Sequence, residues 1–297
     1  MQSQAFGQVQ ERLRMTDDFE LFCRRWPSVG ATERVVVFMH GIEVHSGAFQ
    51  FMGPELANIS TEVYAFDRRG FGNSKEPDLH RGDTHGFDRH LQDIDEVVNV
   101  IHNRNPGKTL YVFGHSIGCA YALWYAAYYP DQLDGLILAS PPLETGFKLS
   151  TSDTLQLAAA PAIQHHKMFD LIDKWPEAFR RSEEYTLITE DPLCTREFGL
   201  GYLFNVQTKL ADKMPENAAK VNKPVQMMHG DSDIVALPSS STLILEKFAS
   251  TDKNLHVFGD ADHWFYQSII PEMSARYSVE QKRTVSEVVK NWLRAHP

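Results

Sequence analysis

The sequence predicts an α/β protein: a mostly parallel central sheet with helices on both faces and a helical segment inserted between two strands. Three observations carry this expectation. Short apolar runs rich in β-branched residues recur along the 297 residues, as buried parallel strands require. The amphipathic stretches between them are long enough for helical crossovers. One gap, Leu138 to Val225, is too long for a crossover and opens on Ser140-Pro141-Pro142, where proline breaks the element.

In chain order, the predicted strands are Val35 to Phe38, Val63 to Phe66, Leu110 to Phe113, Leu133 to Leu138, Val225 to Met228 and Leu255 to Phe258. Ahead of them, Glu11 to Arg14 and Glu20 to Arg25 flank Thr16-Asp17-Asp18 and read as a hairpin, an antiparallel start to the sheet. Helical spacing is found in Gly47 to Asn58, Gly86 to Asn103, Ser116 to Tyr129, Ser241 to Ala249 and Val279 to Ala295. Within the long gap, Leu155 to Ile163, Met168 to Trp175 and Arg196 to Lys209 have mostly helical spacing, interrupted by Pro161, Pro176 and Pro192. The domain reading is a core over 1–140, a helical cap over 141–215 and the rest of the core over 216–297.

Composition excludes several classes. With 42% hydrophobic and 23% charged residues, the chain is ordinary globular protein rather than a disordered one. A formal charge of −10 repels a phosphate backbone, so nucleic acid is not an expected partner. Cys23, Cys119 and Cys194 have neither CxxC nor zinc-ligand spacing and read as buried reduced thiols, with no metal site. The first fifteen residues lack the apolar core of an export signal, and no run approaches the ~18 apolar residues of a membrane span. The cytoplasm is the expected compartment. Peripheral membrane contact through the cap stays open, and oligomeric state is left unassigned.

The strongest chemical signal is Gly114-His115-Ser116-Ile117-Gly118, between a predicted strand and a predicted helix. From 18 glycines and 19 serines, such a pentapeptide is expected by chance about 0.07 times, before any demand on its flanks. A serine in the strained turn between strand and helix needs room on both sides, which the two glycines supply. Ser116 is therefore the candidate nucleophile, in preference to a helix-capping serine. A serine hydroxyl needs a histidine to take its proton and a carboxylate to orient that histidine. In the order serine, acid, histidine, His263 in Asp262-His263-Trp264 fits, lying after the last strand and before the final helix. His165, His166, His229, His256 and His296 read as core or solvent histidines.

Both Asp231 and Asp233 follow the strand Val225 to Met228 and could be the acid. Asp231, closer to the strand end, reads as a loop holder that bonds backbone amides, and Asp233 is favoured for reaching across the sheet edge. The oxyanion formed by attack on a carbonyl calls for two backbone N–H groups. Ile117 is one candidate, and Ile42, in the His40-Gly41-Ile42 turn, is the other. Asp67 to Ser74, with two glycines but no P-loop lysine, reads as a structural turn with buried charge pairing.

These segments, with His45-Ser46-Gly47 and Asp191-Pro192-Leu193-Cys194, resemble the monoglyceride lipase and lysophospholipase branch of the α/β-hydrolases, often grouped with serine aminopeptidases. The resemblance spans nearly the whole chain. It implies the α/β-hydrolase fold and hydrolysis of a small-molecule carboxylic ester of a long acyl chain, without metal or cofactor. Two positions depart from that branch: Val44 stands where it carries a glutamate, and Tyr266 where it carries a second histidine. The same triad could cut a thioester or an N-terminal peptide bond, the latter needing acids such as Glu183, Glu184 and Glu190 to hold an ammonium group. An intact triad speaks against a silent, hydrolase-like binding protein, and a serine nucleophile against dehalogenases and epoxide hydrolases, which use aspartate. Leu155, Leu157, Ile163, Met168, Phe169, Leu171, Leu203 and Phe204 are the apolar residues the cap offers to an acyl chain, half of them expected to pack cap against core.

Overall fold

The computed structural model describes residues 7–265 and 279–297. Among the described residues, eight strands form one sheet: β1 (Val9–Arg14), β2 (Glu20–Trp26), β3 (Arg34–Met39), β4 (Thr61–Phe66), β5 (Thr109–His115), β6 (Gly135–Ala139), β9 (Val225–Gly230) and β10 (Lys253–Phe258), in the spatial order β1-β2-β4-β3-β5-β6-β9-β10. Strands β1 and β2 pair antiparallel, as does β2 with β4, and all other pairs are parallel. The inner strands β3, β4, β6 and β9 are buried at every residue, which explains why they read as short, mostly apolar runs, with Arg34, Glu62 and Gln226 among the buried polar exceptions near their starts. The outer strands β1 and β10 carry charged or polar side chains and stay largely exposed or half exposed, a composition that disfavours edge pairing with other chains.

Helices α1 (Met52–Ala57), α2 (Phe87–Arg104), α3 (Ile117–Tyr128), α9 (Ser239–Lys247) and α10 (Val279–Ala295) accompany the sheet. In α2, Phe87, Leu91, Ile94, Val98 and Ile101 share the buried face at helical spacing. Helix α3 is buried almost all round, at the centre of the molecule. The expected helix over Gly47 to Asn58 is instead a 3-10 turn, Ser46–Phe49, followed by the short α1. The His45 ring caps the turn by accepting from Gly47 N, and Pro54 falls in the first turn of α1, where its missing N–H costs nothing.

Between β6 and β9 the chain leaves the sheet and forms α4 (Thr151–Ile163), β7 (Met168–Asp170), α5 (Glu177–Arg180), α6 (Glu183–Glu190), β8 (Glu197–Gly199), α7 (Leu200–Asn205), a π-helix (Val206–Ala211) and α8 (Met214–Ala218). Two helical expectations are corrected here. Met168 to Trp175 starts as a strand, because Met168, Phe169 and Asp170 pair antiparallel with Gly199, Phe198 and Glu197. The same pairing replaces the start of Arg196 to Lys209 with β8. Pro161 does not interrupt α4, which runs on to Ile163 after a capping box built by Ser150 and Asp153. Among the described residues, no helix is long and apolar enough to cross a membrane.

Chain order reverses across β3 and β5, since β3 leads to β4 on one side and the chain then returns to β5 on the other. At such a switch point the loops after the strands diverge and open a crevice at their carboxyl ends. Ile42 follows β3 and Ser116 follows β5, so the two flank it.

Candidate active site

Ser116 is the single residue between β5 and α3, with φ +52° and ψ −126°, a conformation that side chains rarely adopt. The glycines around it are required by close approach. A Cβ on Gly118 would lie 2.1 Å from the Met39 carbonyl oxygen, and one on Gly114 2.5 Å from the Gly118 carbonyl oxygen. The turn thus holds Ser116 in the lining of a cavity of about 240 Å³. Ile42 and Ile117 line the same cavity. Ile117 is the first residue of α3, so its N–H has no carbonyl one turn back and carries the positive end of the helix dipole.

The structure brings His263 and Asp233 together. His263 Nδ1 donates to Asp233 Oδ2 at 2.7 Å, which places the proton on Nδ1 and leaves the Nε2 lone pair free. That Nε2 atom is buried and has no hydrogen-bond partner among the described residues. Burial alone would raise the Asp233 carboxyl, but the charge of His263 and hydrogen bonds from His229 and His263 hold it well below the usual carboxylate range. Burial would likewise lower the His263 imidazole, and the Asp233 charge and hydrogen bond outweigh it and raise the group. Within the elbow, His115 Nε2 donates to the His263 carbonyl at 3.0 Å and ties the two loops together.

Asp233 also takes the role expected of Asp231. Its Oδ1 accepts from the N–H groups of Val235 and Ala236, both at 2.9 Å, so one carboxylate holds its own loop with one oxygen and His263 with the other. Asp231 is exposed, and its carboxylate accepts from Ser232 Oγ at 3.0 Å. His229, read from sequence as a core or solvent histidine, is a second partner of the acid. Its Nε2 lies 3.1 Å from Asp233 Oδ2 and 3.0 Å from the Ala236 carbonyl, and its Nδ1 lies 2.7 Å from Ser241 Oγ. The signal was its place four residues before the acid, near the end of a strand.

The sequence profile of the family described as Serine aminopeptidase, S33, matches residues 30–267, a span that includes every residue of this site. The chain belongs to this family of α/β-hydrolases. Human monoglyceride lipase is 28% identical to it over 261 residues, covering 86% of this chain and 82% of that protein. The monoacylglycerol lipase of Mycolicibacterium smegmatis is 25% identical over 269 residues, 88% of each chain. Among solved structures, the monoacylglycerol lipase of Paleococcus ferrophilus has a TM-score of 0.76 at 23% identity, covering 94% of this chain and 100% of that one.

Around this family framework the particular side chains differ from several expectations. Leu157, Phe169, Leu171 and Leu203 line the cavity. Leu155 is 66% exposed, Met168 borders a separate surface cleft, and Phe204 lines neither. Tyr266 lies outside the described residues, as do the side chains of Ile163, Glu183 and Glu184, and Glu190 is exposed. Val44 is fully buried and does not border the cavity. Its neighbour Glu43 is also buried, accepting from Trp264 Nε1 at 2.9 Å, and burial raises its carboxyl above the usual range. Trp264 stacks on Phe179 at 4.8 Å between ring centres, so the histidine loop rests on the inserted segment.

Cys23 and Cys119 are buried free thiols, whereas Cys194 is only partly covered. With His45 and Asp191, Cys194 forms the one cluster among the described residues whose metal-ligating atoms all come within 4.8 Å of each other. Its donors are poorly set for a cation. Gly47 N–H donates to His45 Nδ1 at 3.0 Å, so the ring proton sits on Nε2 and points at Asp191 Oδ2, 3.2 Å away. Burial, with the charge of Asp191, pushes the Cys194 thiol well up and keeps it protonated.

Proposed function

We propose that the protein is a serine hydrolase that cleaves carboxylic esters of acyl chains through an acyl-enzyme. One observation carries the reading: a histidine locked by Asp233 into the tautomer a general base needs, its free nitrogen buried, on a loop whose His263 carbonyl is held at 3.0 Å by His115, the residue before a serine on a strained turn. In this mechanism Ser116 Oγ attacks the ester carbonyl and its proton passes to His263 Nε2. Asp233 stabilises the imidazolium, and the N–H groups of Ile42 and Ile117 receive the oxyanion. Collapse of the intermediate passes the proton from Nε2 to the departing alkoxide. Water then repeats the sequence on the acyl-enzyme and releases the acid.

The cavity supports an acyl ester over a peptide N-terminus. Its lining is dominated by apolar side chains such as Phe147, Leu157, Leu171 and Val206. Asp153, the one carboxylate on its wall among the described residues, caps α4 and already faces the Lys174 ammonium at 3.9 Å. An incoming ammonium group would therefore meet little compensating charge. The relatives named monoglyceride and monoacylglycerol lipases favour the same bond. We assign residues 141–215 as a cap that covers the acyl chain, over a core of 1–140 and 216–297. Exposed Leu155 on α4 is the apolar contact such a cap offers a lipid surface.

Ser116→Ala tests the reading. The variant should keep the circular dichroism of the parent and lose hydrolysis of p-nitrophenyl esters by about 10⁴-fold or more. A fluorophosphonate probe should label the parent and not the variant. Substantial activity in the folded variant would rule out Ser116 as nucleophile.

A further inference from the structure

The turn that supplies the proposed oxyanion donor is gripped from behind by a buried cation. Arg68, two residues beyond the end of β4, is 1% exposed. Its Nη2 donates to the Gly41 carbonyl at 2.9 Å, and its Nη1 donates to the His40 carbonyl. Its backbone N–H donates to His40 Nε2 at 3.1 Å, which leaves the His40 proton on Nδ1 to donate to the same Gly41 carbonyl at 2.8 Å. The guanidinium carbon lies 5.0 Å from the Phe71 ring centre and 4.9 Å from that of Tyr121, and both rings restrict its movement.

Two facts separate this from ordinary loop packing. The neighbouring Arg69 is buried beside carboxylates, with Asp93 at 2.6 Å and Asp17 at 2.9 Å, whereas among the described residues no carboxylate lies within ion-pair distance of Arg68. The buried Glu43 carboxylate acts on Arg68 only through space, and a buried guanidinium without a contact ion pair is costly, so its placement calls for another reason. The second fact is covalent. The Gly41 carbonyl and the Ile42 N–H belong to one planar peptide group. Two donors on its oxygen, one of them cationic, fix the rotation of that plane. They also draw electron density toward the oxygen, which makes the N–H at the other end a stronger donor.

We propose that Arg68 is a positioning residue of the oxyanion hole: it fixes and polarises the Gly41–Ile42 peptide group, so that the Ile42 N–H meets the developing oxyanion already aimed. The inference rests on the reading of Ile42 and Ser116 given above. Arg68 touches no substrate atom in this role, so its effect belongs to the transition state. Ground-state binding in the cavity, which Arg68 does not line, stays as it is.

The test uses the full chain with Arg68→Lys, which keeps the charge, Arg68→Gln, which keeps a donor without charge, and Arg68→Met, which removes both. The readouts are kcat and KM on p-nitrophenyl octanoate, the Ki of an octyl trifluoromethyl ketone, which forms a tetrahedral adduct, and the Ki of an alcohol of equal length, which does not. The expected order in kcat is parent, Lys, Gln, Met. Loss in Arg68→Met should be about 10- to 100-fold, short of deleting a donor outright, with KM within about twofold. Ketone affinity should fall in proportion to kcat, while alcohol affinity holds. A folded Arg68→Gln or Arg68→Met with parental kcat overturns the inference, as does an equal loss of alcohol and ketone affinity. Should Arg68→Met not fold, the Lys and Gln variants carry the same decision. A parent that ignores the fluorophosphonate refutes the underlying reading of the site. An active parent with unaffected Arg68 variants refutes only the role of Arg68.

Discussion

The sheet edge and the inserted segment meet at one cavity but are built on different grounds. At the edge, each group is placed by a constraint that leaves no slack: a glycine whose Cβ would strike Met39, a carboxylate bonded to two backbone amides, a histidine tied to that carboxylate by its ring and to His115 of the elbow by its carbonyl. In the insertion, the cavity wall is made of side chains such as Leu157, Phe169 and Leu203, which could exchange with others of similar volume. On the proposed reading, the core carries the chemistry and the insertion the chain-length preference. Changes at the edge should alter rate for every substrate, and changes in the insertion should alter rate only for some.

The largest expected effect that probes this division, after loss of Ser116, is at the acid. Asp233→Asn should lower kcat by about 10⁴-fold with little change in KM, because the amide cannot hold the base in its tautomer or stabilise its charge. Asp231→Asn, on an exposed side chain, should stay within about twofold in kcat and about 0.5 kcal/mol in stability. The pH profile sharpens the assignment. His263 must be neutral to accept the Ser116 proton, and its pKa in the folded protein is raised by Asp233. The acid limb of kcat/KM should therefore lie above the ordinary histidine value of about 6.5, with activity rising as pH rises through it. Residual activity of Asp233→Asn should have its limb at lower pH, since the charge that raised the base is gone. A limb that stays in place would detach His263 from Asp233.

How much of this was legible in the sequence follows the same division. The elbow was readable because strain and close approach demand glycine at 114 and 118, and a demand of that kind leaves a spelling. The inner strands were readable because burial on both faces favours apolar, β-branched side chains over most of their length. In the insertion, β7 and β8 are three residues each and exist through pairing with one another, so neither shows a period of two. The π-helix over Val206–Ala211 has an extra residue in its turn and reads as ordinary helix. Within the site, Arg68 and Arg69 are adjacent and alike. One pairs with Asp93 and the other with two carbonyls, a difference set by partners 24 and 27 to 28 residues away and by nothing local.

A smaller effect is expected from the insertion itself. Each methylene drawn from water into the cavity contributes up to ~0.8 kcal/mol, so kcat/KM should rise by at most about fourfold per carbon until the cavity is full. Leu171→Trp, which fills part of the cavity, should lower kcat/KM for a dodecanoyl ester by about tenfold or more and leave an acetyl ester within about twofold. Equal losses on both esters would mean that the insertion shapes the chemistry as well, and the division between the two regions would fail.

The smallest expected effect concerns the alcohol. Glycerol is recognised only if polar groups in the cavity are left to bond its hydroxyls, and, apart from the single N–H donor of Trp175, those on the wall that could fix its orientation are already engaged. Thr145 Oγ1 donates to the Phe147 carbonyl at 3.0 Å, Gln207 Nε2 donates to Asp212 at 2.6 Å, and Asp153 accepts from Ser150. His45 is held between Gly47 and Asp191, and Val44 is buried away from the cavity. Breaking one of these bonds to make another to glycerol gains little. The ratio of kcat/KM between glyceryl and ethyl esters of one acyl chain should therefore stay below about tenfold, or ~1.4 kcal/mol of transition-state binding. A glyceryl preference of a hundredfold or more would point to Glu43, whose Oε2 is buried without a hydrogen-bond partner among the described residues. Head-group recognition would then belong to the sheet edge rather than to the insertion, and Glu43→Gln should abolish the preference while sparing the ethyl ester.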